Sequence, residues 1–295
     1  MRVLLTGASG FLGRYVLESL CRQSVEMVII GRRPVLGNCF ADFIAADLLS
    51  TTDFAALVKE SGATHLLHLA WYAEHGRYWT SSLNLRWVEA TFRLVEAFSE
   101  AGGKQVVVAG SCAEYDWSYG YCREDSTPLV PATLYGVSKD AARRLVMSVC
   151  AQYQVPCAWG RVFLPFGTGE DNQRLIPSLI EVFRGKRLPF GVNTAAYRDF
   201  LHASDVAEGF FSLLRSGMSG AFNISSAEPV RLGDVVCELA RLLGADPQVV
   251  LGLAADRPGE PPLLVGDNLK LKALGWQPSL LLAQGLERTV REALQ

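Results

Sequence analysis

The sequence predicts an α/β protein, a doubly wound parallel sheet followed by a smaller mixed α/β C-terminal domain. Three observations carry that expectation. Short apolar runs over 2–5, 27–30, 43–46, 65–69, 106–109 and 157–162 alternate with helical periodicities over 11–22, 52–59, 81–100 and 134–152. Continuous apolar strands separated by helices imply a parallel sheet covered on both faces, closed by right-handed crossovers. The first strand runs into a glycine turn, Thr6-Gly-Ala-Ser-Gly-Phe-Leu-Gly13, which opens an amphipathic helix. Beyond Phe163 the alternation loosens around Pro165, Gly167, Gly169 and Pro177.

The elements follow in order. In the first turn, Gly7 permits the bend, Gly10 admits a pyrophosphate to the backbone and Gly13 brings helix against strand. Ser9, Phe11 and Leu12 complete the junction, whose helix N-terminus offers N–H groups to an anion. After the second strand, Val28-Ile-Ile-Gly31 meets Arg32 and Arg33, with no acid before Asp42. An acid there would suit a ribose 2′-hydroxyl, whereas two guanidinium groups suit a 2′-phosphate, so the expected cofactor is NADP(H). The loop from Trp71 to Trp79 is unusually aromatic, and His75 and Arg77 add polar contacts, which makes Trp71 and His75 candidate substrate contacts. Tyr135 and Lys139 lie one helical turn apart on one face. A lysine ammonium there is expected to lower the phenol's pKa, so that the tyrosine exchanges a proton with a carbonyl or alcohol.

In the second half, helices are expected over 175–183, 204–214, 232–243 and 281–293, with a strand over 221–224. A polar, proline-rich loop is expected over 256–262. The expected boundary divides a dinucleotide-binding domain, 1–163, from a mainly substrate-binding domain, 164–295, with possible return segments to the first sheet.

Composition narrows the function classes. The 295 residues are 49% hydrophobic and 20% charged, with a formal net charge of −2. That balance gives no electrostatic argument for nucleic acid or an anionic membrane. No apolar run is long enough to span a bilayer, and the N-terminus does not read as a signal peptide. The seven cysteines and four histidines form no metal-ligand spacing, so no metal site is expected. Reduced thiols and a cytoplasmic location are the simplest account.

Taken together, Gly-Ala-Ser-Gly-Phe-Leu-Gly13, His68-Leu-Ala, Gly-Ser111-Cys-Ala-Glu-Tyr, Tyr135-Gly-Val-Ser-Lys, Arg198-Asp-Phe-Leu-His-Ala-Ser-Asp and Leu-Gly-Trp-Gln-Pro resemble one family. It is the extended short-chain dehydrogenases/reductases, whose Rossmann sheets serve nucleotide-sugar epimerases, dehydratases and 4-ketoreductases. The resemblance implies a Ser111–Tyr135–Lys139 set, with Ser111 bonding the keto oxygen and Lys139 holding the nicotinamide ribose. It places Asp47 and Leu48 near the adenine, and Leu69 and Ala70 along the cofactor. It implies substrate contacts at Cys112, at Leu175 beside the nucleotide base, and at Arg198 and Arg257 on a diphosphate. Asn84 matches a structural asparagine. Leu164 replaces an asparagine that relatives often use on the substrate.

Family dehydratases carry two acids after the catalytic hydroxyl, where this chain has Cys112 and Ala113. Alanine does no acid–base work, so dehydration is disfavoured. The double epimerase/reductases that make GDP-fucose use a cysteine at the place of Ala113, and are disfavoured too. The resemblance and the arginines together imply an NADPH-dependent reductase of a 4-keto-6-deoxy nucleotide sugar. A 4-epimerase with retained NAD(H), or an NADP(H)-binding regulator without catalysis, are the alternatives. A homodimer through helices 81–100 and 134–152 is the implied partner arrangement.

Overall fold

A computed structural model describes residues 1–35, 41–253, 255 and 259–295. The first half runs β1 (Arg2–Thr6), α1 (Phe11–Arg22), β2 (Glu26–Gly31), β3 (Asp42–Ala45), α2 (Phe54–Ser61), β4 (His65–His68), α3 (Leu83–Glu100), β5 (Gln105–Ser111), β6 (Tyr121–Cys122), α4 (Leu134–Gln152) and β7 (Cys157–Val162). The second runs β8 (Leu164–Phe166), α5 (Leu175–Phe183), β9 (Tyr197–Arg198), β10 (Phe200–His202), α6 (Ala203–Ser216), β11 (Gly220–Ile224), β12 (Val230–Arg231), α7 (Leu232–Leu243), α8 (Gln248–Leu251), β13 (Leu263–Gly266), α9 (Leu269–Lys272) and α10 (Leu282–Ala293).

Seven strands form one parallel sheet in the order β11-β7-β5-β4-β1-β2-β3. Alternation along each strand explains why both faces are apolar. Val3 and Leu5 of β1 face a core shared with α1 and α6, while Leu4 faces a core shared with α2, α3 and α4. The chain departs in opposite directions from β1, so a crevice opens at the carboxyl ends of β1 and β4.

The second lobe has its own core, built from Phe166, α5, α7 and α10. A small sheet of order β12-β9-β13-β6 and a parallel pair, β10-β8, bind it to the first lobe. The chain crosses between lobes in both directions. β6 leaves the first half to pair with β13, and β11 returns to the edge of the large sheet beside β7.

Strand β13 begins at Leu263, where the sequence suggested no strand, and pairs with β6 and β9. One expectation needs correction. The thiols are not all reduced: Cys112, Cys122, Cys150, Cys157 and Cys237 are free, but Cys21 is disulfide-bonded. Spacing along the chain carries no information about which sulfurs the fold brings together.

Candidate active site

A single cleft of about 1270 Å³ runs from the glycine turn to the second lobe. At its floor, Gly7, Ser9, Gly10, Phe11, Leu12 and Gly13 line the junction between β1 and α1. Gly10 caps α1 without any side-chain bond, so the first N–H groups of the helix have no side-chain partner from the cap. A β-carbon on Gly7 would lie 2.7 Å from the Ala70 backbone nitrogen, which shows how tightly the turn meets the end of β4. Leu69 and Ala70 form that end, and both donate backbone N–H bonds to Thr6.

Arg32 and Arg33 lie at the rim, exposed, with no hydrogen bond or ion pair among the described residues. Asp47 accepts a bond from the Leu49 N–H at 3.0 Å, and the buried Leu48 lies beside it.

The middle of the cleft gathers Ser111, Cys112, Tyr135 and Lys139. Ser111 closes β5 and caps a short turn, its Oγ accepting from the Ala113 N–H at 3.2 Å. Tyr135 sits in the first turn of α4, a helix capped by Thr133, whose hydroxyl accepts from the Gly136 N–H at 3.1 Å. The Tyr135 N–H donates to the Trp79 carbonyl, which fastens the aromatic loop to this helix. Tyr78, Trp79 and Trp71 meet the Tyr135 ring edge-on at 4.8, 5.7 and 6.5 Å, and Trp117 stands 6.2 Å from Trp79. Trp71 is itself held by Asn84, whose Oδ1 accepts its indole N–H at 2.8 Å.

Lys139 donates to the Ala109 carbonyl at 2.9 Å, and its ammonium lies 3.8 Å from the centre of the Trp71 ring. Burial lowers its pKa to about 7, against the opposing pull of Glu114. These groups overturn the expectation that the lysine lowers the phenol's pKa. Burial pushes Tyr135 well above the ordinary tyrosine value, and Ser111, rather than Lys139, provides the opposing pull. The ammonium is turned to the Ala109 carbonyl and the indole face, 5.9 Å from the Tyr135 ring centre.

The far end belongs to the second lobe. Leu175 begins α5 and lines the cleft. Arg198 also lines it, but its guanidinium bonds the Tyr197 and Pro261 carbonyls at 2.8 Å and pairs with Glu260 at 3.5 Å. The fold therefore already engages one arm of the expected arginine clamp. Arg257 lies outside the described residues. His75 lines the cleft with a buried Nδ1 that has no hydrogen-bond partner among the described residues, and burial lowers its pKa.

Several further cleft residues had no place in the sequence reading. Arg174 pairs with the buried Glu170 at 2.7 Å, and Arg187 donates to the Ser178 hydroxyl at 2.7 Å. Their signal is weak, since polar residues around a loop and a helix start are ordinary. Among the described residues no cluster of His, Cys, Asp or Glu is arranged to hold a metal, and no helix is long and apolar enough to cross a membrane.

A glycine turn at the strand switch point, with Ser, Tyr and Lys gathered above it, defines a nicotinamide-nucleotide-dependent oxidoreductase or epimerase. The chain belongs to the NAD dependent epimerase/dehydratase family, whose model matches residues 3–225. It is 26% identical to the trifunctional UDP-glucose 4,6-dehydratase/UDP-4-keto-6-deoxy-D-glucose 3,5-epimerase/UDP-4-keto-L-rhamnose-reductase of Arabidopsis thaliana, over 98% of this chain and 46% of that protein. The chain thus spans about half the length of the first curated relatives it matches. It is 24% identical to dTDP-D-glucose 4,6-dehydratase of Mus musculus, over 98% of this chain and 87% of that protein. Among solved structures, MoeE5 in complex with UDP-glucuronic acid and NAD superposes with a TM-score of 0.86 at 28% identity, covering 100% of this chain and 99% of that one.

Proposed function

We propose that the chain reduces the ketone of a 4-keto-6-deoxy nucleotide sugar, with NADP(H) as cofactor. The observation that carries this reading is one cleft holding Ser111, Tyr135 and Lys139 above the glycine turn, with Ala113 where a dehydratase would need an acid. The cradle fits a dinucleotide. Side chains on Gly7 or Gly13 would collide with backbone, and the α1 N-terminus is left without a side-chain cap.

Gly7–Gly13, Asp47, Leu48, Leu69 and Ala70 would hold the cofactor, with Arg32 and Arg33 on the 2′-phosphate and Lys139 on the nicotinamide ribose. When bound, NADPH supplies the hydride that the carbonyl carbon receives. Ser111 has its Oγ lone pair occupied by the Ala113 N–H, so its own proton is available to the keto oxygen. Tyr135 gives that oxygen its phenolic proton as the alcohol forms. Burial keeps the phenol protonated at neutral pH, which suits a proton donor.

Trp71, Tyr78, Trp79 and Trp117 give the sugar an apolar wall suited to its C–H face. Cys112, Leu175, His75, Arg198 and Arg257 complete the proposed substrate contacts. The protein acts in the cytoplasm as a homodimer, pairing through α3 and α4, where Leu85, Val137 and Leu145 are exposed. The second reading, a 4-epimerase with retained NAD, is favoured by the NAD in the MoeE5 complex.

The test is NADPH consumption with GDP-, CDP-, UDP- and dTDP-linked 4-keto-6-deoxy sugars. Wild type should oxidise NADPH with at least one of them, and Tyr135→Phe should slow that reaction by about 10²- to 10⁴-fold while still binding NADPH. No oxidation with any of the four sinks the reductase. Tightly retained NAD after dialysis points to the epimerase.

A further inference from the structure

Lys139 is only 3% exposed, and among the described residues no carboxylate lies within ion-pair distance of its ammonium. A buried charge without a partner is costly, so something else must hold it. Two groups meet the ammonium. It donates to the Ala109 carbonyl at 2.9 Å, and it lies 3.8 Å from the centre of the Trp71 ring. An aromatic face carries negative potential, and a cation gains most from that face where water is excluded.

The indole is clamped in this orientation. Trp71 stands three residues beyond the end of β4, and its Nε1–H donates to Asn84 Oδ1 at 2.8 Å. Asn84 is fully buried, and its amide donates in turn to the Tyr78 and Ser81 carbonyls at 2.7 and 2.9 Å. Trp87 of α3 stacks against Trp71 with ring centres 6.2 Å apart. Turning the edge of the indole to the ammonium would break the bond to Asn84. The face is held there.

We propose that Trp71 is a positioning residue, one face of its indole doing for Lys139 what a paired carboxylate would do. It keeps the buried ammonium charged and fixed beside the cleft. The contact stands without the reductase reading; only the service of the held ammonium to the nicotinamide ribose rests on that reading. The other titratable groups around the lysine leave this role to the ring. Glu114, in the turn after β5, is committed to Arg161 Nε at 2.8 Å. His68 of β4 is kept neutral by burial. Asp140 is turned to Arg143 and Arg144 at 2.7 and 2.8 Å. Tyr135, one turn back on α4, has its ring centre 5.9 Å from the ammonium, and burial keeps its phenol protonated.

The experiment places tryptophans carrying one to four ring fluorines at position 71 alone. Each fluorine draws electron density from the ring and weakens its negative face, while the shape and the N–H to Asn84 are kept. The readout is the titration of the Lys139 ε-carbon resonance in ¹³C-lysine-labelled protein without ligand, assigned by its loss in Lys139→Met. Burial already brings this group to about 7, within reach of the measurement. The titration should fall stepwise with fluorine number, by about one pH unit at the end of the series. At a pH above both titrations, the most fluorinated protein should bind NADPH up to about tenfold more weakly than wild type. Below both, the two should bind it equally.

The same residues at position 79 are the control, since Trp79 meets the Tyr135 ring edge-on rather than the lysine. They should leave the Lys139 titration in place. A titration that does not move with fluorination at position 71 overturns the proposal, as does an equal fall from position 79. Failure of the wild type to reduce any keto sugar overturns the reductase reading alone. A stepwise fall would still support the role of Trp71, because the titration needs no substrate.

Discussion

Gly13 and Gly7 approach so closely that a β-carbon on Gly13 would lie 2.0 Å from the Gly7 carbonyl oxygen, and 2.7 Å from the Ala8 α-carbon. Both obstacles are backbone, which cannot swing aside as a side chain end can. Gly13→Ala should therefore destabilise the protein by about 1–3 kcal/mol through overpacking. It should also open the turn and weaken nucleotide binding. Urea unfolding and an NADPH titration check this; a variant as stable as wild type would show that α1 can shift along β1.

Arg32 and Arg33 decide the cofactor in the proposed function. Charge-assisted bonds to a 2′-phosphate contribute about 1.5–3 kcal/mol each, so replacing both residues by alanine should weaken NADPH binding by at least about tenfold. NADH, which lacks that phosphate, should bind the variant and the wild type alike. Fluorescence titration with both nucleotides measures it. A wild type that prefers NADH contradicts the arginine argument.

Stability should respond to acid through His68. Burial first, and then the Lys139 charge, lowers its pKa in the fold to about 3, while its ring nitrogens meet the Thr6 and Thr91 hydroxyls at 2.7 and 2.9 Å. In the unfolded chain it titrates near about 6.5. Between those values the unfolded chain holds a proton that the fold does not, so the His68 contribution is present above about pH 6.5 and lost as pH falls. Asp199 works in the opposite sense, since burial raises it to about 6 and the fold then holds the extra proton. His68→Gln should flatten the acid limb of the unfolding free energy by up to roughly 1.4 kcal/mol per pH unit. Equal slopes for the variant and the wild type, measured between pH 7 and pH 5, would contradict this.

The proposed dimer predicts that Leu145→Glu yields a monomer. Leu145 is 44% exposed on α4, whereas Val95 of the neighbouring α3 is completely buried in the core. The substitution thus introduces a charge at the proposed seam and leaves the core intact. Sedimentation velocity separates the two states, and a dimeric Leu145→Glu variant would place the seam elsewhere.

Much of the fold was legible because long elements repeat their pattern. α4 over Leu134–Gln152, α7 over Leu232–Leu243 and β7 over Cys157–Val162 occur as the apolar spacing predicts. The two-residue strands β6, β9 and β12 were not legible, because two residues carry no period. The glycine turn, Tyr135 and Lys139 could be read because the chemistry requires them at short, fixed separations. Glu114 and Arg161 lie 47 residues apart, and nothing local marks them as partners.

The sequence by itself determined the parallel sheet, the glycine turn on its first crossover and the helical pairing of Tyr135 with Lys139, because periodicity and close spacing are local properties. Only the tertiary structure decided the electrostatics of the site. Burial outweighs the lysine's effect on Tyr135, and the Lys139 ammonium turns to Ala109 and Trp71. Arg198 is engaged by loop carbonyls, and a buried carboxylate behind Ser111 pairs with Arg161 from the next strand of the sheet. Desolvation and charge–charge contact depend on what lies within a few ångströms in space, and the order of residues along the chain does not contain that distance.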